Sequence, residues 1–149
     1  MPRISLADYR SLAAFRYEIR KFLAFSEGAA REAGIEPQQH QMLLAVRGLP
    51  DGVRPTIGAV AERLYVQHHT AVALVDKLEA RGFIRRQRSE IDRREVLLQV
   101  TDEGLELLRA LSTLHRDQLQ TVGPALLEAL QAIIEGRKPK HRDPPEASP

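Results

Sequence analysis

The sequence contains no cysteine, which removes a disulfide framework, a thiolate metal site and a thiol redox sensor from consideration. No apolar run approaches the length needed to cross a bilayer. The N-terminus, MPRISLADYR, lacks the basic-then-apolar pattern of a secretory signal. These absences lead to the expectation of a cytoplasmic protein with no membrane partner. Excess charge is scarce too, since the net is only +2 although the pI is near 9.2. The whole molecule is therefore not a polycation, and attraction to a polyanion must come from local clustering. Catalytic signatures are also missing: there is no HExxH, no Gly-rich phosphate loop, and no Ser/His/Asp or Cys/His set with motif-like flanks. The sequence assigns no catalytic residue, no metal ligand and no cofactor, which weighs against an enzyme.

What is present suits a folded chain. The 149 residues are enough for one domain with a real core, and 43% hydrophobic with 28% charged residues is ordinary for such a domain. Residues 6 to about 32 carry Leu12, Phe15, Ile19, Phe22 and Ser26 at steps of three and four, which predicts one long amphipathic helix. Gly34 ends it, Pro37 opens a second helix, PQQHQMLLAVR, and Gly48 closes that one. The stretch GLPDGVRP reads as a loop. Thr56 then caps a short helix, TIGAVAERL, and a brief connector leads to another over about 68–81, with Ala71, Val72, Val75 and Leu78 as its apolar stripe. Two short helices joined by a tight turn, with Gly82 as a stop, have helix-turn-helix geometry.

Phe83 to Arg88 and Glu95 to Val100 have strand composition, with SEIDRR as the hairpin loop between them. Thr101 caps the following helix, and Asp102 and Glu103 place negative charge in its first turn. Gly123-Pro124 is expected to interrupt that helix, leaving PALLEALQAII as a final one with Leu126, Leu127, Leu130, Ile133 and Ile134 on one face. The fold class is therefore mainly α with a small β-hairpin wing. A winged helix-turn-helix over 37–100 lies between end helices at 6–34 and 102–136, forming one domain over 1–136. Residues 137–149, a charged and Pro-rich tail, are expected to be disordered.

The densest charge lies in RRQRSEIDRR, five arginines in ten residues against Glu90 and Asp92. Together with the flanking segments, LVDKLEARGFIRRQRSEIDRREVLLQVTDEG resembles the winged-helix core of MarR-type transcriptional regulators. The elements that carry the resemblance are Leu74-Val75-Asp76-Lys77-Leu78-Glu79, Gly82, Arg86, Asp92-Arg93-Arg94 and Val100-Thr101-Asp102-Glu103-Gly104. The resemblance extends more weakly through AGIEPQQHQMLLAV. It implies a homodimer whose first and last helices interleave, and a repressor released from its operator by a small, aromatic or anionic effector. This sequence departs from the family at His68-His69-Thr70-Ala71-Val72-Ala73, where a Pro-Ser-Thr-Val-Thr-Arg-like stretch is frequent. Thr70 matches, whereas Val72 and Ala73 replace a polar pair, so no operator sequence carries over.

A helix in the major groove reads bases with its exposed N-terminal residues, here Gln67, His68, His69, Thr70 and Lys77. The bland alternative is that the histidines cap the helix or sit in solvent. Metal binding by the pair is disfavoured, because adjacent helical residues diverge by about 100°. Thr56 is a candidate phosphate contact. In the wing, Arg94 is assigned to the minor groove and Asp92 to its orientation, since residues two apart share one side of an extended segment. Arg86, Arg88 and Arg93 are assigned to phosphates or to the hairpin itself. A solvated loop with weak surface ion pairs is the alternative for all of them.

A first helix of some 27 residues is longer than a small lobe buries alone, and pairing across a two-fold axis would resolve that. Phe15, Tyr17, Arg20, His40 and Met42 lie on helices that line the family pocket and are the effector candidates. The partners expected are thus pseudo-palindromic double-stranded DNA, a second copy of the chain and a small effector. A winged helix that binds protein, or a small helical enzyme, are the competing readings. The arginine wing favours DNA over the first, and the missing catalytic motifs weigh against the second.

Overall fold

A computed structural model describes residues 2–136; the charged tail expected from residue 137 onward lies outside the described residues. Five helices and one hairpin follow in the order α1 (Leu6–Glu32), α2 (Pro37–Arg47), α3 (Ile57–Leu64), α4 (His68–Ala80), β1 (Ile84–Arg88), β2 (Val96–Val100) and α5 (Asp102–Ile134). Local chemistry explains most boundaries. Ser5 and Asp8 cap α1 reciprocally: the Ser5 amide and hydroxyl both donate to the Asp8 carboxylate, and the Asp8 amide donates to Ser5 Oγ. Glu36 and Gln39 form a second capping box around Pro37. Thr56 and Thr101 each accept an amide hydrogen bond from three residues on, Ala59 and Gly104, both at 3.1 Å.

The end of the chain departs from the sequence expectation. Gly123-Pro124 does not divide the last helix; α5 runs unbroken for 33 residues with Pro124 inside it. A mid-helix proline removes one amide donor and costs about 3 kcal/mol, but the strong helix formers Ala125 to Leu130 follow it, and the ladder is resumed. The apolar stripe of α4 also shifts: Leu74 is buried with Ala71, Val75 and Leu78, while Val72 is only half-buried. On α1, Leu12 is exposed and Ser11 is buried in its place.

The chain forms two compact units. One comprises Ser26–His115 and holds the hydrophobic core, built on Ile35, Met42, Leu43, Val60, Val75, Leu78, Ile84 and Leu111. Within it β1 pairs antiparallel with β2, Ile84 opposite Val100 and Arg88 opposite Val96. The Leu98 amide donates outward to Pro55 O (2.8 Å), so the segment before α3 joins the hairpin edge. Gly104 is required where α5 crosses the start of β1: a Cβ there would lie 2.3 Å from Phe83 O and 2.8 Å from a Val100 methyl. The other unit takes the residues up to Phe25 and from Arg116 onward. No helix among the described residues is long and apolar enough to cross a membrane.

Candidate nucleic-acid interface

The lobe presents two polar surfaces, the start of α4 and the tip of the hairpin. Gln67, His68, His69 and Lys77 are exposed, and Thr70 is half-buried. Gln67 occupies the N-cap of α4 without a side-chain capping bond. Among the described residues neither histidine caps the helix, and Gln67, His68, His69 and Lys77 have no side-chain hydrogen bond or ion pair. Their donors and acceptors are thus available to base edges. Thr56 Oγ is used as an acceptor for the α3 cap, which leaves its hydroxyl proton free to donate to a phosphate oxygen.

The turn joining α3 to α4 closes as a Schellman motif. The Val66 amide donates to Ala61 O (3.1 Å) and the Tyr65 amide to Glu62 O (3.2 Å). Such a closure needs one residue in the left-handed region, normally glycine. Here it is Tyr65, at φ 56° and ψ 40°, with 99% of its surface exposed. A bulky L-residue in this conformation costs on the order of 1 kcal/mol relative to glycine.

The wing is organised around a residue that the sequence did not single out. Ser89 is 5% exposed, and its hydroxyl oxygen accepts from the Arg54 guanidinium (2.8 Å) and from the amides of Ile91 (3.2 Å) and Asp92 (3.3 Å). Arg54 also pairs with Glu95 (2.7 Å), and the Ser89 amide donates to Glu95 O (2.9 Å). Arg54 is 35 residues from Ser89, so no local sequence signal points to it.

The arginines of the wing divide into two sets. Arg86 is tied at the root: its guanidinium meets Glu79 (2.8 Å) and Asp76 (2.5 Å), and its amide donates to Glu79 (3.0 Å). It joins β1 to α4 and is not an open phosphate ligand. Burial acts to lower its pKa, but the hydrogen bonds and charges of Asp76 and Glu79 outweigh that and raise it. Arg85 donates to Gln99 across the hairpin (2.9 Å). By contrast, Arg88, Arg93 and Arg94 are exposed, and among the described residues their guanidinium groups have no partner. Asp92 orients Arg94 differently from the sequence expectation. Residues 93 and 94 form a turn rather than an extended segment, and Asp92 Oδ1 accepts from the Arg94 amide (3.0 Å), not from its guanidinium. The alternation argument for choosing Arg94 over Arg93 therefore does not apply, and both are presented at the tip.

The effector candidates are divided between the two units. Phe15, Tyr17 and Arg20 lie on the part of α1 belonging to one unit, and His40 and Met42 in the other. Met42 is fully buried in the lobe core and His40 is 1% exposed. His40 packs at 4.9 Å from the ring of His115, whose nitrogens are taken by Leu111 O (2.6 Å) and Ser26 Oγ (2.7 Å). Burial, and secondarily the neighbouring imidazole, push the His40 pKa down to about 4. An open groove of about 270 Å³ in the lobe is lined instead by Gln38, Gln41, Arg63, Leu64, Val66 and Leu74.

A three-residue turn between two helices, an open N-terminus on the second, and a basic hairpin beside it define a winged helix-turn-helix protein. Residues 33–95 match the family model described as MarR family. The regulator PecS of Dickeya dadantii (strain 3937) is 33% identical over 99 residues, 64% of this chain and 58% of that one. AbsC of Streptomyces coelicolor, a MarR family transcriptional regulator, superposes with a TM-score of 0.72 at 17% identity, over 91% of this chain and 93% of the other. FabT of Streptococcus pneumoniae, in complex with DNA, gives 0.68 at 23% identity, covering 87% and 91%. Over these residues the winged-helix lobe is similar to the MarR family. The matched stretches span 44–58% of the length of the first curated relatives, and the structural likenesses concern the fold.

Proposed function

We propose that the protein is a sequence-specific, duplex-DNA-binding transcriptional regulator, acting as a homodimeric repressor at a pseudo-palindromic operator in the cytoplasm. One observation carries the reading: in a single lobe, three unpartnered guanidiniums at the wing tip accompany an unpartnered polar helix N-terminus. Arg88, Arg93 and Arg94 suit the negative potential of phosphates and of a narrow minor groove, while Gln67, His68, His69, Thr70 and Lys77 suit base edges in the adjacent major groove. Thr56 supplies a hydroxyl for a phosphate. That FabT, of the same fold, is seen with DNA supports the reading.

The dimer is supported by surface apolarity. Among the described residues, ten of the fifteen large hydrophobic side chains left exposed lie on α1 (Leu6, Tyr9, Leu12, Tyr17, Leu23) and α5 (Leu114, Leu119, Leu127, Leu130, Ile134). Such concentration marks a protein–protein interface rather than scattered surface residues. A small aromatic or anionic effector that releases the DNA follows from the family; Tyr17 and Arg20 remain the exposed candidates for it. The test is protection mapping on the DNA flanking the gene. Two protected half-sites about one helical turn apart are expected; protection absent there, or equal on unrelated duplex, contradicts the proposal.

A further inference from the structure

Tyr65 combines two properties that packing within the lobe does not explain. It holds the left-handed conformation that the α3–α4 turn requires, where glycine would be unstrained, and its ring is 99% exposed. A strained backbone at a bulky residue is retained where that side chain is used. No intramolecular contact uses this one: among the described residues its ring and hydroxyl have no partner. The tyrosine stands three residues before His68, the first residue of α4, hence within about 10 Å of it along even an extended chain. Gln67, between them, is exposed as well.

We infer that Tyr65 is a DNA-positioning residue, its phenol hydroxyl donating a hydrogen bond to a backbone phosphate oxygen beside the major groove that α4 enters. A phenol is a neutral donor, so it fixes register without releasing a counterion, unlike the wing arginines. The inference rests on the DNA-binding reading and assigns a contact that the wing and the reading helix do not supply.

The test uses the full chain and the duplex recovered by protection mapping, with fluorescence anisotropy over a salt series and a thermal melt. Tyr65→Phe is expected to lower affinity about tenfold, as for one hydrogen bond to a charged group, with an unchanged slope of log affinity against log salt. Tyr65→Gly is expected to lose at least as much affinity while melting at the same temperature or a few degrees higher, because the strain is relieved. Loss of affinity alongside gain of stability is a pattern that a structural role for the ring does not produce. Wild-type affinity in Tyr65→Phe overturns the inference and leaves the regulator reading intact. So does a Tyr65→Gly variant that binds DNA normally but loses self-association, which would give the ring to a protein contact. If wild type itself fails to bind, the regulator reading falls and this contact falls with it.

Discussion

Arg86 and Arg94 lie eight residues apart on the same hairpin, and their surroundings are opposite. At the root, two carboxylates of α4 engage both terminal nitrogens of the Arg86 guanidinium, and its backbone amide donates to one of them. At the tip, Arg94 contributes only its amide to the fold, through Asp92, and its guanidinium stays open. The same residue type thus serves the fold at one end and is held in reserve at the other. Composition cannot tell the two apart; the number of carboxylates within reach can.

The largest expected effect separates the ends by DNA affinity. Replacing Arg93 and Arg94 together by alanine is expected to weaken operator binding on the order of a hundredfold, with the melting temperature unchanged. Unchanged affinity would remove the tip from the interface. Acidification reads the satisfied interior instead. His40 has its pKa depressed by folding, so the unfolded chain binds the extra proton between about pH 6.5 and 4, and stability falls as the pH drops through that window. From pH 7 to pH 5 the loss is about 2 kcal/mol at most, measured by denaturant midpoints; a variant carrying His40→Gln should show a flatter dependence.

The next effect reverses the first. Arg86→Ala is expected to cost about 1.5 kcal/mol of stability, a figure held low because its partners are largely exposed, and to leave the salt dependence of DNA binding unaltered. A shallower salt slope in this variant would show that the root also meets phosphate. Ser89→Ala lies between root and tip: about 1 kcal/mol of stability and a several-fold loss of affinity are expected, since the buried hydroxyl holds the turn that presents the arginines. Smallest is Arg85→Ala, whose exposed bond to Gln99 should be worth less than about 0.5 kcal/mol, with affinity within twofold of wild type.

Legibility in the sequence followed interaction range. The first four helices and the hairpin were readable because caps, glycines and apolar periodicity act within a few residues; Thr56, Thr101 and Gly82 sit where their local chemistry places them. The exposed start of α4 was readable for the same reason. Pro124 misled, because a proline's cost is local while the helix around it is sustained over 33 residues. The roles of Arg86, Asp92 and Ser89 were not readable. Each depends on partners or turn geometry fixed by tertiary structure, such as Arg54 against Ser89 or Glu79 against Arg86. His40 and Met42 were effector candidates only because they lie on a helix that lines the family pocket; within the lobe both are buried.

The central claim is that the wing tip of this lobe engages duplex DNA through charge left free by the fold. The most direct measurement is the affinity for the protected duplex across a salt series, for wild type and for the Arg93→Ala, Arg94→Ala double variant. A steep linear fall of log affinity with log salt is expected for wild type, and a slope shallower by about 2 in the variant. A flat wild-type dependence, or identical slopes for the two proteins, would contradict it.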